Sequence, residues 1–106
     1  MSYWFDNEVT SPSNGATIVD TGPLSAASRS VTIAIHSSLP GTFELQQVDD
    51  DNTTVLHRQK FSILSGQTDL SMAPDVKVQM ETDQRLRIVS KQALTLGVVS
   101  GSIWCQ

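Results

Sequence analysis

The sequence predicts an all-β fold: a single antiparallel β-sandwich of the jelly-roll or immunoglobulin-like kind, with about eight or nine short strands and no major helix. Two observations support this prediction. Apolar and polar residues alternate with a period of two, most clearly at Val31, Ile33 and Ile35. Short stretches of turn residues separate such runs about every ten residues. The 106 residues are the length of one domain, so we assign residues 1–106 to a single unit.

The strands can be placed in chain order from the runs and the turns between them. Asn14-Gly15 is a strong turn signal, and Pro40-Gly41 suits a type II turn. An acidic stretch, residues 49–53, joins two strands as a hairpin, and a turn at residues 73–75 precedes another. After the opening residues, strands are predicted at 16–20, 30–36, 42–48, 54–63, 68–72, 76–81, 84–90 and 93–104.

Alternation also predicts the core, because one face of each strand must be dry. The ten residues predicted to line it are Val31, Ile33, Ile35, Phe43, Leu45, Phe61, Ile63, Val78, Leu86 and Ile88. In the last predicted strand, Gly97 and Gly101 indicate bulges or a close approach of another backbone. Residues 24–28 have no regular pattern, and we interpret them as irregular.

Composition and charge argue against several partners. The net charge is −4, and the seven Lys and Arg residues are scattered, so nucleic acid is not expected as a ligand. No apolar stretch approaches the ~18 residues that a membrane span needs, and residues 1–10 lack the features of a signal peptide. Cys105 is the one cysteine, so the fold needs no intramolecular disulfide. We therefore expect a soluble protein made in a cytoplasm.

No residue set predicts a metal, a cofactor or an active site. The acidic run that begins at Asp49 has Thr54 and Lys60 where a calcium-binding EF-hand loop needs Gly and Glu. His36 and His57 are far apart, and with one terminal cysteine they do not make a zinc set. Nucleotide-binding glycine motifs and a nucleophile elbow are absent. We expect no metal, no cofactor and no enzymatic activity.

Three consecutive aromatic residues, Tyr3, Trp4 and Phe5, are the most distinctive local feature. Neighbouring side chains of a strand leave on opposite faces, so all three cannot enter one core. One interpretation treats residues 1–15 as an N-terminal arm and these aromatic side chains as anchors of a subunit interface. The other places a first strand against the C-terminal strand, with Trp104 covering it. The sequence leaves both open.

The C-terminal third, residues 84–89 and 94–103, resembles the end of small β-sandwich virion proteins of tailed bacteriophages, in particular head-decoration (cement) proteins. The resemblance covers about the last 25 residues and the general composition. It implies a structural role in the virion, assembled in the host cytoplasm, with the major capsid protein or identical subunits as partners. A homo-oligomer is then expected, held to the capsid by many modest contacts at once.

A second class of function stays open beside it. A carbohydrate-binding β-sandwich would use exposed aromatic residues as sugar platforms and the Asp-rich loop as a polar rim. The middle of the chain, residues 16–92, contains neither Trp nor Tyr, which favours the virion protein over the carbohydrate-binding module. A phage tail or head-closure component differs from a decoration protein only in its location.

Overall fold

Ten β-strands make up the regular secondary structure in the computed structural model, which describes residues 3–72 and 77–106, with the backbone alone at residues 70–72. No helix in this part of the chain is long and apolar enough to cross a membrane. The strands are β1 Tyr3–Thr10, β2 Thr17–Asp20, β3 Ala27–Arg29, β4 Val31–Ser37, β5 Gly41–Val48, β6 Val55–Ile63, β7 Asp69–Met72, β8 Val78–Met80, β9 Arg85–Ser90 and β10 Val98–Cys105.

Two four-stranded antiparallel sheets form the sandwich. Sheet A has the order β1-β10-β4-β7, and sheet B has the order β2-β9-β5-β6. Except for the β5–β6 hairpin, the chain changes sheet between successive strands, so neighbours within a sheet are distant in sequence. This order is that of a jelly roll, and it decides between the two topologies that the sequence left open. The all-β antiparallel sandwich is confirmed.

The core lies between the sheets, on the faces that the alternation predicted. Nine of the ten predicted core residues are less than 9% exposed, and Val78 is half-buried against them. Phe43 and Phe61 stack across the β5–β6 pair, with ring centroids 5.9 Å apart. The C-terminal strand adds Val99, Ile103 and Cys105, all fully buried.

Gly101 lies where β2 packs closely on sheet A, and close approach is one of the two roles predicted for this glycine. A Cβ atom added there would lie 3.1 Å from Cγ2 of Ile18 and 3.2 Å from Cγ1 of Val19. The pairing of β10 with β1 and with β4 runs through Gly101 without a register shift. The glycine therefore serves close packing of β2 on sheet A and not a bulge.

The N-terminal residues form a strand of the sandwich. Within residues 1–15, β1 is an edge strand of sheet A, and it pairs with β10 at eight positions, from Tyr3 opposite Cys105 to Thr10 opposite Val98. Phe5 and Val9 pack against the core. The backbone groups of β10 on this side need partners, and β1 supplies them while it covers the core. This is the first-strand arrangement, the second of the two interpretations.

Two smaller differences concern short strands. Two residues predicted to be irregular, Ala27 and Ser28, belong to β3, which pairs with β8 in a two-stranded sheet. Three residues with little alternation give no sequence signal, and the pairing depends on the distant partner. The predicted turn at 73–75 and the start of the predicted strand 76–81 lie outside the described residues.

The position of Ile33 tests the register of sheet A. Ile33 is 3% exposed in the central strand β4, and its neighbour Thr32 faces outward. Ile33→Asp should cost several kcal/mol through a buried unpaired carboxylate, enough to unfold a domain of this size. Thr32→Asp is the control and should shift the melting temperature far less. Equal melting temperatures for the two variants would contradict the register.

Candidate functional site

Two tryptophan side chains lie next to each other on the outer face of sheet A. Trp4 in β1 and Trp104 in β10 are directly opposite residues in the strand pairing. Their rings stack with centroids 6.2 Å apart and an interplanar angle of 24°. Trp4 is 68% exposed and Trp104 is 43% exposed. We call these two residues the tryptophan pair; it is a large aromatic surface that faces solvent.

The alternation of β1 turns the other two N-terminal aromatic residues inward. Tyr3 and Phe5 are half-buried against the core, and their rings stack with centroids 6.4 Å apart. The guanidinium of Arg29, which is 3% exposed, lies 5.3 Å from the centre of the Tyr3 ring. This inner packing fixes the register of β1, and the register places Trp4 outside.

A shallow trough continues from the tryptophan pair along β1 and β10. Asp6 lies opposite Ser102, and Glu8 lies opposite Ser100. The trough has a volume of about 360 Å³, and the backbone of Gly101 forms part of its lining. Side chains on one face of a strand follow each other at about 6.8 Å, so carboxylates and hydroxyls form two parallel rows. The trough offers acceptors on one side and hydroxyl groups on the other.

A hydrogen-bonded pair closes the far side of this face. Nδ1 of His36 lies 2.7 Å from Oδ1 of Asp69, which joins β4 to β7. The hydrogen bond with His36, followed by the one that the Thr68 hydroxyl donates, lowers the pKa of the Asp69 carboxyl. Both residues of the pair are exposed. Thr32 and Ala34 are the neighbouring outward residues of β4.

The predicted interface residues Tyr3, Trp4 and Phe5 are therefore divided between two environments. Only Trp4 presents its side chain to solvent, and its role in a subunit interface stays a prediction. Trp104, which the sequence suggests as a cover for the first strand, is the direct neighbour of Trp4. Its outward orientation follows from the alternation Ile103-Trp104-Cys105, which is a signal that the sequence does contain.

The acidic loop between β5 and β6 is organised by its own hydrogen bonds. The backbone N–H groups of Thr53 and Thr54 donate to Oδ1 of Asp51, both at 2.8 Å. The Thr54 hydroxyl donates to Oδ2 of Asp51 at 2.5 Å. Within residues 3–72 and 77–106, no group of three or more His, Cys, Asp and Glu side chains is placed to hold a metal ion. Asp51 acts as a turn residue.

Comparisons with known proteins identify the fold. No family model matches the sequence, and no curated protein sequence matches it. Solved structures do match, with 145 chains in all. A carbohydrate-binding module, CBM36 in complex with calcium and xylotriose, has a TM-score of 0.57 and 12% identity over 98% of this chain and 97% of that chain. The Eiger TNF of S. frugiperda has a TM-score of 0.58 and 12% identity, over 99% and 90%.

Other carbohydrate-binding modules recur among the similar structures. One of them, a CBM4 structure, has a TM-score of 0.56 and 6% identity over 88% of this chain. The present chain spans only 64% of the length of that chain. At these identities the likeness shows a shared β-sandwich fold and no more.

A phage structure is also among the similar ones. An acid-stable capsid structure of Helicobacter pylori bacteriophage KHP30 covers 100% of this chain and 88% of that chain, at 12% identity and a TM-score of 0.49. That score is too low to carry an argument about a capsid role. Carbohydrate-binding modules are more frequent among the similar structures than capsids.

Calcium should not stabilise the β5–β6 loop. Both carboxylate oxygens of Asp51 already accept hydrogen bonds within the loop. We expect the same melting temperature with and without about 1 mM calcium, whereas a site with a Kd of about 10 μM would add about 2.7 kcal/mol. An upward shift of several degrees in calcium would contradict this assignment.

Acid should weaken the loop through Asp51. Hydrogen bonds from the Thr54 hydroxyl, the Thr54 N–H and the Thr53 N–H lower the pKa of the Asp51 carboxyl below its ordinary 3.8. A group with a depressed pKa stabilises the fold fully above its unfolded value and loses this effect as the pH falls through its folded value. The melting temperature of wild type should therefore exceed that of Asp51→Asn most above about pH 5, and the difference should shrink as the pH falls below 3.8 and through the lowered pKa of Asp51. A difference that stays constant over this range would contradict the assignment.

Proposed function

We propose that the domain is a non-catalytic binding module that recognises a carbohydrate chain on the outer face of sheet A. The observation that carries the proposal is the tryptophan pair beside the trough. Trp4 and Trp104 are cross-strand neighbours, and both are exposed although large aromatic side chains are usually buried. A patch of this kind marks an interaction site.

The chemistry of the face suits a sugar. An exposed indole ring offers a flat apolar surface against which the C–H face of a pyranose can stack, while its N–H remains available as a donor. Beyond the pair, Asp6 and Glu8 provide carboxylate acceptors for sugar hydroxyls, and hydrogen bonds to ionised groups are the stronger kind. Ser100 and Ser102 add hydroxyl groups that donate and accept.

The charge of the face narrows the sugar class. Asp6, Glu8 and Asp69 are exposed acidic residues on this face, whose described strand residues include no Lys or Arg. A polysaccharide that carries carboxylates or sulfates would be repelled, so we infer a neutral glycan. The shared fold supports the proposal to this extent: several similar structures are of carbohydrate-binding modules, one of them in complex with xylotriose.

A structural subunit of a virion is the second candidate. Here the exposed Trp4 favours it, because this side chain is 68% exposed on a strand at the edge of a sheet, where a protein partner has free access. Burial of two indole rings against a major capsid protein or an identical subunit would anchor such an interface. In this case the protein would belong to a virion assembled in the host cytoplasm.

Glycan binding tests the first candidate directly. We expect soluble neutral β-glucan or xylan to retard the wild-type protein in affinity gel electrophoresis. Trp4→Ala and Trp104→Ala should each weaken binding about tenfold, since one aromatic stacking contact is worth about 1.5 kcal/mol. Leu64→Ala is the matched control, because this leucine is 65% exposed but lies in the loop after β6.

Two outcomes would contradict the carbohydrate proposal. One is wild-type mobility that no neutral glycan changes. The other is equal retardation of wild type and both tryptophan variants. If the same variants instead lost co-sedimentation with intact phage particles, the virion candidate would replace it.

A further inference from the structure

The two outer faces of the sandwich carry opposite charges. On sheet B, Lys60 lies opposite Glu44, and Arg58 and Arg87 flank Gln46. These three cations and Lys91, directly after β9, are four of the seven Lys and Arg residues in a chain of net charge −4. The outer face of sheet A carries the acidic side chains described above. The basic residues are therefore concentrated on one side of an acidic protein.

The one acidic residue at the centre of the sheet B face is already neutralised. Glu44 is 1% exposed; Arg58 donates to its carboxylate at 3.2 Å and Gln46 at 2.8 Å. Burial works to raise the pKa of Glu44, but the hydrogen bond from Gln46 and the charges of Lys91 and Arg58 outweigh it and lower the pKa. Glu44 stays ionised and holds Arg58, while Lys60 makes no ion pair within the described residues.

The outward residues of β1 and β6 complement each other in order. Along β1 they are Trp4, Asp6, Glu8 and Thr10, and at alternate positions β6 has Leu56, Arg58, Lys60 and Ser62. Each series runs from an exposed large apolar residue through two charges to a hydroxyl, and the charges have opposite signs. Both strands advance about 6.8 Å per two residues, so the charges match in spacing as well. β1 and β6 are also edge strands of their sheets, where another molecule can reach them.

We propose that a second copy of this chain docks the β6 side of its sheet B on the β1 side of sheet A, so that Glu8 meets Lys60 and Asp6 meets Arg58. The two faces of one copy point in opposite directions, so the pairing occurs only between copies. Each copy binds one neighbour through sheet A and another neighbour through sheet B. Such a contact between two different faces is heterologous, and it builds rings or chains. Contact on this side also covers Trp4, so association and glycan binding compete. The proposal does not rest on the glycan function, because association is measured without sugar.

The test is the self-association of the full chain by sedimentation velocity. We expect wild type to associate with rising concentration and to dissociate as salt is raised from about 0.01 M to about 1 M, which shortens the Debye length from about 30 Å to about 3 Å. Glu8→Lys or Lys60→Glu alone places like charges together and should weaken association about tenfold. The double variant E8K/K60E exchanges the two charges and should restore it.

Control measurements separate this pairing from a general effect of charge. Glu81→Lys makes the same charge change as Glu8→Lys at an exposed loop position before β9, and it should leave association unchanged. Melting curves of all variants are recorded to test whether each variant is folded. Lys60→Glu keeps the Arg58–Glu44 ion pair but places a second carboxylate opposite Glu44, so its melting curve is compared with that of wild type before its association is measured.

Three results would overturn the proposal. The first is a wild-type protein that stays monomeric at about 1 mM. At this protein concentration a dimer with a Kd of about 1 mM is half formed. The second is a folded E8K/K60E variant that does not associate when wild type does. The third is a monomer whose sheet B face binds a sulfated polysaccharide through Lys60, which would make that face a surface for anionic polymers.

Discussion

The pairing of β10 with its two neighbours is the constraint on which the rest of the structure depends. β10 lies between β1 and β4 in the middle of sheet A, and its register there is continuous on both sides. Because side chains alternate, this register sends Val99, Ile103 and Cys105 into the core and sends Trp104 outward. A slip by one residue would bury the tryptophan and expose the core residues. The loss of stability would exceed the free energy of unfolding of a small domain.

Packing against sheet B holds that register in place. Gly101 leaves room for Ile18 and Val19, because a Cβ atom at that point of β10 would lie 3.1 Å and 3.2 Å from their side chains and would push them by a few tenths of an ångström. Arg29 contributes from the small two-stranded sheet, since it lies over the ring of Tyr3 and donates to the carbonyl of Ser25 at 2.8 Å. Inner contacts of this kind, far from the solvent face, determine which side chains the protein offers to a partner.

The two outer faces then differ in kind although both belong to similar antiparallel sheets. Sheet A presents aromatic and acidic groups over small residues, whereas sheet B presents long basic side chains around a buried carboxylate. A neutral glycan and a second copy of the chain would both use the β1 side of sheet A. The two proposals therefore concern one surface, and the balance between them would depend on protein and glycan concentration.

The alternation in the sequence is enough to predict the fold class, about half of the core and the positions of most strands, because a period-two pattern is a local property that a half-buried strand imposes on its own residues. It also contained the outward orientation of Trp104. It did not determine that Trp4 lies opposite Trp104, or that β3 pairs with β8, since such pairings join residues that are far apart in the chain. The jelly-roll order and the separation of acidic and basic residues onto opposite faces were likewise decided only by the tertiary structure. Local patterns fix which face of a strand is dry, but the closure of distant strands into sheets fixes which residues share a surface.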